Sequence, residues 1–360
     1  MARPTRASRR RGPSTVLSRW VRPLLLGGTT SLITVLLLTL YLSPFGYMLV
    51  TGLKSRDMIT DSKSPLWPAE TESYTYEGKE YPIYEVPTED GQLHHWALIK
   101  KTTELSTFID PANPEAGPIQ WKGRWRTLDP VYKLSPQWGN FSQAWRELNL
   151  PRLLRNTIAI AAIGAIGTLL SCICVAYGFS RFRFPSKGLL FMILISTIIL
   201  PGFVTLVPTY TIFQRIGWVG TWLPLIVPHF FANAYNVFML RQFFMTIPKE
   251  LDEAAFIDGA SPLRTLVSVV LPQAVPALIA VGLLHFVWAW NDYLNPLIYL
   301  STRRDLQPVA LGIQSYNALH SARPHMVQAT SLLGLVVPLS IFFLAQRFFM
   351  RGIVFTGVEK

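Results

Sequence analysis

From residue 247 the chain reads Ile247-Pro248-Lys249-Glu250-Leu251-Asp252-Glu253-Ala254-Ala255-Phe256-Ile257-Asp258-Gly259-Ala260-Ser261-Pro262 and runs on to Leu271-Pro272. The chemistry this composition suits is recognition, not bond making. Pro248 fits the first turn of a helix, where its missing N–H does no harm. Glu250, Asp252 and Glu253 fall in that turn, close to the positive end of the helix dipole. Gly259 can take a left-handed conformation and stop the helix. Ser261-Pro262 then supplies a capping hydroxyl and a proline at the first position of a second helix. Ala254 and Ala255 let the first helix enter a groove closely, and Glu253 offers a charge that pairs with a cation and sets register. Spacing alone leaves an ordinary amphipathic connector open.

A second group of polar residues interrupts apolar runs. Asn233, Tyr235 and Asn236 lie within one run, and Trp288, Trp290, Asn291 and Asp292 close another. Polar groups in a bilayer are costly and face interiors or cavities. Asn233, Tyr235, Asn236, Trp290 and Asn291 are therefore the candidate solute-path residues, offering aromatic faces and neutral hydrogen-bonding groups. At ~1.5 Å per residue from Pro272, Asn291 comes about 28 Å along, near a membrane surface. An interfacial tryptophan belt with helix-end ties is the competing reading there. No metal site is expected: His94-His95 lacks a third ligand. Cys172 and Cys174 are too close on one helix to bridge and read as packing residues. The chain contains no Gly-x-x-x-x-Gly-Lys-Ser/Thr phosphate loop, so nucleotide would be bound by another chain.

The elements that must position these residues follow from apolar runs. The chain is 50% hydrophobic and 15% charged, well under the ~25% charge of soluble domains. Six stretches are long enough for the ~20-residue crossing of a bilayer as a helix. They lie between Arg22 and Lys54, Arg155 and Arg181, Lys187 and Arg215, Arg215 and Arg241, Arg264 and Asp292, and His325 and Arg347. Buried soluble helices rarely carry apolar runs of that length. The net charge of +12 does not point to nucleic acid, because Arg3, Arg6, Arg9, Arg10, Arg11, Arg19 and Arg22 precede the first run with no acid among them. Juxtamembrane arginines place a segment in the cytoplasm, so both termini are expected inside. The first run is too long for a cleaved signal peptide and reads as a retained helix. Gly164, Gly167, Thr168 and Ser171 on the second run favour close helix packing.

Residues 69–133 differ from their surroundings. They are polar and rich in Glu, with Tyr74, Tyr76, Tyr81, Ile83 and Val86 flanking a turn at Glu77-Gly78. A second turn is expected at Glu89-Asp90-Gly91, then a strand from Leu93 to Ile99, and a further strand marked by Trp121 and Trp125. This predicts a small β-rich extracytoplasmic domain. Its acidic residues suggest a basic face on a docking partner, with a solvated surface equally open.

The elbow resembles the EAA loop of binding-protein-dependent ABC importer permeases: Glu-Ala-Ala, three residues, Gly, nine residues, an aliphatic residue, any residue, Leu-Pro. It falls on Glu253-Ala254-Ala255, Gly259, Val269 and Leu271-Pro272, with Val in place of the commoner Ile and with Asp258-Gly259-Ala260 matching the extended form. Asn156-Thr157 looks like the start of the permease core, and Phe184 to Gly188 resembles the loop between its second and third spans; Pro208 to Tyr210, Arg241 to Phe244, Trp290 to Pro296 and Gln307 to Gly312 are similar to the carbohydrate subclass, and the ending Gln346-Arg347 to Gly352 with Gly357 to the maltose-permease second-subunit type. The likeness covers about 20–68 and 135–360, and the insertion departs from it.

The resemblance implies an all-α polytopic membrane protein with the six transmembrane helices of the type I ABC importer permease fold and a small β-rich extracytoplasmic insertion. The implied parts are a basic cytoplasmic arm (1–22), transmembrane helix one (23–53) and an extracytoplasmic segment (54–150) holding the insertion at about 69–133. A permease core (151–350) follows, with helices two to six and the coupling loop 247–272, and then a cytoplasmic tail (351–360). The implied function is import of a sugar or oligosaccharide across the bacterial plasma membrane, with a polyol, glycerol phosphate or other small metabolite as the alternative solute. Implied partners are a second permease, two ATPase subunits carrying ATP and magnesium, and an extracytoplasmic solute-binding protein. Glu253, Ala254, Ala255, Asp258, Gly259, Ala260, Leu271 and Pro272 would couple the spans to the ATPase. An ion-driven secondary transporter would instead show inverted repeats and deep charges. A membrane-anchored binding module would not need six spans.

Overall fold

A computed structural model describes residues 14–88, 91–317 and 322–354. The helices are α1 (Ser14–Gly52), α2 (Arg56–Thr60), α3 (Gly139–Glu147), α4 (Leu150–Arg181), α5 (Lys187–Ser196), α6 (Gly202–Arg215), α7 (Leu223–Ile226), α8 (Ala234–Thr246), α9 (Lys249–Ile257), α10 (Pro262–Thr265), α11 (Leu271–Trp290), α12 (Leu294–Leu300), α13 (Val309–Gln314) and α14 (Pro324–Val354). Among the described residues, five spans are long and apolar enough to cross a membrane: Gly27–Gly52, Leu150–Arg181, Leu223–Thr246, Pro262–Trp290 and Pro324–Arg347. A sixth is present if the bent pair α5–α6 counts as one.

That pair corrects the expectation of an unbroken third run. Lys187–Ile199 and Gly202–Arg215 meet at 95°. Pro201 is the cause: it lacks an N–H and drives the preceding residue out of the helical region, and Leu200 is extended at ψ 116°. The fourth run is also interrupted. A 3₁₀ turn, Val227–Phe230, ends it in the middle, and Asn233 caps the continuation α8. The basic arm expected to end at Arg22 is helical from Ser14 onward, and residues 1–13 lie outside the described ones. Of the expected tail 351–360, the helix runs on through Val354 and 355–360 lie outside the description.

The core sits between α4, α8 and α11. Cys172, Ala176, Tyr177, Val237, Leu240, Phe244, Val270, Ala274 and Val281 form one buried cluster. Leu150, Leu153, Ala161, Phe286, Trp290 and Val309 form a second. Glycine makes the close approach possible on α4. A Cβ at Gly167 would lie 2.7 Å from Phe230 Cδ2, and one at Gly164 would lie 3.1 Å from His285 Nε2. Helix ends are tied by side chains, as their unpaired carbonyls require. Asn140 Nδ2 donates to the Gly52 and Lys54 carbonyls at 2.8 and 2.9 Å. Asn156 Nδ2 donates to Asp305 and Gln307 carbonyls at 2.9 and 3.0 Å, and the next residue's hydroxyl, Thr157, accepts from the Val309 N–H at 2.8 Å.

The insertion is a β domain with strands β1 (Ala69–Thr71), β2 (Ser73–Tyr76), β3 (Lys79–Pro87), β4 (Leu93–Lys100), β5 (Leu105–Ile109), β6 (Ile119–Lys122), β7 (Asp129–Pro130) and β8 (Tyr132–Leu134). β2 to β6 pair in chain order, antiparallel throughout. β7 adds to β3, and β1 pairs with β8 at the neck. Glu77 and Gly78 both take positive φ, 52° and 75°, which joins β2 to β3 by a tight turn. Two residues of the second expected turn, Glu89 and Asp90, lie outside the description. Trp121 lies in β6, but Trp125 does not extend a strand. Gly123, whose N–H bonds the Glu104 carbonyl at 2.9 Å, ends the pairing, and Trp125–Thr127 form a 3₁₀ turn. Both faces of the sheet are covered: Val86, Trp96, Leu98, Phe108 and Leu128 on one, Ile83, Ala97 and Ile109 on the other.

Candidate functional site

The elbow forms as its residues dictate. Pro248 is the N-cap of α9, one position earlier than expected, and Glu250 and Asp252 occupy the first turn. Gly259 takes φ +78°. The Asp258 N–H reaches the Ala254 carbonyl at 3.0 Å and the Ala260 N–H reaches the Ala255 carbonyl at 2.9 Å, a glycine-centred helix stop. Ser261 Oγ accepts from the Arg264 N–H at 3.3 Å and starts α10. The chain then passes through a π-helical turn, Leu266–Val270, into α11. Pro272 lies at the junction and cannot donate to a carbonyl one turn back, which favours the wider turn.

Three attachments fix the elbow to the last turn of α4. Arg181 Nε lies 2.7 Å from Asp252 Oδ2, with the side chains only 6% and 8% exposed. Arg181 Nη2 donates to the Ile247 carbonyl at 3.0 Å, and Tyr177 Oη donates to the Pro262 carbonyl at 3.2 Å. One helix end therefore grips the segment before α9, α9 itself and the start of α10. Burial pushes the Asp252 carboxyl above its ordinary range; Arg181 works against that rise and Glu253 adds to it.

The polarity of α9 is inverted relative to a surface helix. An acid faces inward while Leu251, Phe256 and Ile257 are exposed, as is Leu263 beyond the turn. Glu253, Ala254 and Asp258 are exposed and Ala255 and Ala260 half-buried. Leu271 packs against the larger core cluster and Pro272 is exposed. The sequence reading singled out Glu253 and the alanines. It gave Asp252 only a place in the first turn beside the dipole and Arg181 only the edge of a span, and it passed over Phe256 and Ile257; the signal for their roles was this inversion, a carboxylate where the helix must be buried and large apolar groups where it must not.

A cavity of about 480 Å³ opens in the helical core, lined by His229, Asn233, Tyr235, Asn236, Leu284, His285 and Trp288. Asn233 Oδ1 accepts from the Asn236 N–H at 3.0 Å, so the break in the fourth span presents both amides together. The His229 and His285 rings stand 4.5 Å apart, and each lies within 6 Å of the Trp288 ring, at 5.7 and 5.8 Å. Thr168 Oγ1 holds His285 Nδ1 at 3.3 Å, while His285 Nε2 is buried without a hydrogen-bond partner among the described residues. Gly164 leaves the space that both rings occupy.

Asn233, Tyr235 and Asn236 are thus brought together. Trp290 is not: it is 5% exposed and stacks on Phe286 at 5.7 Å in the second core cluster. Asn291 lies on a separate, more open cavity of about 620 Å³ with Val287, Trp288 and Asp292, and its amide donates to the Val287 carbonyl at 2.8 Å. Helical geometry explains the split, since positions 288 and 290 are some 200° apart around the axis. His229 and His285 were missed, although a lone histidine inside each apolar run was a readable signal. His94 stacks on Trp96 at 5.4 Å and His95 lies 3.9 Å from Glu85.

Residues 167–353 match the family model described as binding-protein-dependent transport system inner membrane component. Among curated proteins, the osmoprotective compounds uptake permease protein GgtD of Synechocystis sp. is 28% identical over 266 residues, covering 73% of this chain and 89% of that protein. The sn-glycerol-3-phosphate transport system permease protein UgpE of Pectobacterium atrosepticum is 35% identical over 225 residues, 60% of this chain and 79% of its own. Among solved structures, a chain of a bacterial ABC transporter that imports the acidic polysaccharide alginate superposes with TM-score 0.61 at 17% identity, covering 91% of this chain and 98% of that one.

Proposed function

The chain belongs to the family of binding-protein-dependent transport system inner membrane components, and from that premise we propose how its parts serve an ATP-driven importer. It is the membrane-spanning permease of such a machine. Residues 247–272 are the coupling elbow, on which separate ATPase subunits act. The observation that carries this is the construction of α9: apolar side chains and Glu253 turned outward, Asp252 turned inward onto Arg181. A helix held so firmly and covered so poorly suits docking into a groove on another chain. Closure of that partner would move α4 with the elbow, and the core would change between two packings.

In this reading ATP and magnesium are bound by two ATPase subunits and not by this chain, which is no enzyme on its own. A second permease completes the pathway, and an extracytoplasmic binding protein delivers the solute. The arginine distribution supports cytoplasmic termini in the inner membrane, with the elbow on the same side.

The solute is a sugar or oligosaccharide. The cavity offers amides, imidazoles, a phenol and an indole, groups that pair with hydroxyls and stack on sugar rings without fixed charge. The naming of one relative for sn-glycerol-3-phosphate favours a second reading, a polyol or phosphorylated metabolite. Such an anion would call for charge-assisted contacts.

The test is assembly and ATP hydrolysis. The chain is co-purified with its partner permease and ATPase, reconstituted, and assayed with binding protein loaded from a panel of sugars and sn-glycerol-3-phosphate. Glu253→Lys is expected to lower ATPase retention and stimulated hydrolysis by about 30-fold or more, the cost of reversing an interfacial charge. Wild-type assembly and transport in that variant, or purified spans that never gather a nucleotide-hydrolysing companion, would overturn the reading.

A further inference from the structure

Seven basic residues lie between positions 69 and 133, and five of them, Lys100, Lys101, Lys122, Arg124 and Arg126, gather at one end of the β domain. The strand register puts them there. Lys100 pairs with Thr107 at the end of β4, and Lys122 pairs with Leu105 at the end of β6, so two strand tips and the turn after β6 share one end. A cavity of about 650 Å³ opens at that end, lined by Lys101, Arg124, Trp125, Arg126 and the threonines Thr102, Thr103 and Thr127. Lys101 Nζ lies 5.1 Å and Arg126 Cζ 5.6 Å from the centre of the Trp125 ring. None of the five cations takes part in the ion pairs formed among the described residues. Glu104, on the turn between β4 and β5 beside Lys101, is exposed and takes part in none either. Like charges gathered this way repel, and an external anion relieves the repulsion.

The position of this end says which anion. Lys54, just past the first span, donates from Nζ to the Pro65 carbonyl at 2.6 Å. Lys63 donates to the Thr127 and Leu128 carbonyls at 3.0 and 2.9 Å and pairs with Asp129 at 2.8 Å. The basic turn is therefore strapped two links from the end of α1. The neck beside it is bound to the same end, the Gln137 N–H reaching the Leu53 carbonyl at 2.8 Å. That neck leaves Leu66, Trp67, Leu134 and Trp138 exposed at 89, 42, 69 and 66%. Exposed indoles and leucines beside a span end have the composition of a membrane interface.

We propose that this end of the β domain rests on the bilayer and binds the phosphates of anionic phospholipid headgroups through Lys101, Arg124 and Arg126, with Trp125 at headgroup level. The three cations supply donors to phosphate oxygens, and the ring supplies an amphipathic body for the interface. The proposal stands apart from the solute and from the ATPase.

The full-length chain is placed in nanodiscs of phosphatidylcholine alone or mixed with phosphatidylglycerol, each doped with a photoactivatable analogue of its lipid. Cross-links are mapped by mass spectrometry. Phosphatidylglycerol is expected to label the 122–127 segment and phosphatidylcholine is not. Each basic residue near an anionic surface contributes about 1 kcal/mol, about five-fold. Lys101→Ser with Arg124→Ser and Arg126→Ser should therefore weaken phosphatidylglycerol labelling of that segment by roughly a hundred-fold. Arg124→Lys with Arg126→Lys should retain it, and circular dichroism should show the sheet intact in both. Equal labelling by the two lipids in the wild type overturns the proposal without any variant. So does labelling that the triple variant leaves unchanged, or labelling abolished by inorganic phosphate, which would mark a free-anion site. A cross-link from this segment to an acidic protein partner of the assembled transporter, in place of lipid, also overturns it.

Discussion

Asp252→Ala tests the mechanical basis of the elbow. The Arg181 and Asp252 side chains are almost fully buried and 2.7 Å apart at Nε and Oδ2. At an effective dielectric of ~20 the bare attraction is about 6 kcal/mol. Much of it is offset by desolvation, which is why the Asp252 carboxyl sits above its ordinary range despite the guanidinium. Removing the acid does not simply cancel these terms. It leaves a buried arginine with no counter-charge, a change that costs about 3–5 kcal/mol. That cost falls on the closed state of α9 against α4. Hydrogen exchange of the α9 amides should accelerate by about two to three and a half orders of magnitude, at 1.4 kcal/mol per factor of ten. Replacing both partners by apolar groups, Arg181→Met with Asp252→Leu, should restore protection, since a packed pair is neutral or stabilising by about 1–4 kcal/mol. Exchange in Asp252→Ala within ten-fold of wild type would refute the reasoning, and so would a double variant as unprotected as the single one. The pH dependence has a definite sign. A carboxyl raised in the folded state is costly only when ionised, so α9 protection is greatest below the ordinary value of 3.8 and declines as pH rises through the elevated native one.

Two further expectations concern the frame. Gly167→Ala places a methyl group 2.7 Å from the Phe230 ring; the ring must shift, at about 1–3 kcal/mol of overpacking, read as lower thermal stability in detergent together with weaker solute stimulation of hydrolysis. Just before α4, Glu147 at the end of α3 accepts from Gln143 at 2.7 Å, Tyr316 at 3.1 Å and Arg323 at 3.2 Å, and these partners, Gln143 first, hold it below its ordinary 4.5 against the opposing effect of burial. A lowered carboxyl stabilises fully above its ordinary value and ceases to as pH falls through the native one. Glu147→Gln should thus cost about 0.5–1 kcal/mol near neutral pH, the scale of a half-exposed network, and the difference should vanish in acid; a difference that persists there would contradict this account.

Much of this protein is written locally. Apolar runs bounded by charges determine where spans lie, because a backbone in lipid has no partner but itself. Pro248, Gly259 and Ser261-Pro262 determine the elbow, because caps and left-handed turns are chosen within a few residues. The Glu77-Gly78 turn is legible for the same reason. The tertiary structure decided what depends on partners far apart in the chain. Trp288 and Trp290 look alike in sequence, yet one lines the cavity and the other is packed among Leu150, Phe286 and Val309. The His229–His285 pair exists only because Gly164, on a third element, leaves room for it. Arg181 reads as a positive-inside arginine, and only the fold reveals Asp252 beside it. The physical reason is range. Propensity, capping and hydropathy act over one or two turns of chain, whereas burial and charge pairing depend on which surfaces meet, and packing settles that.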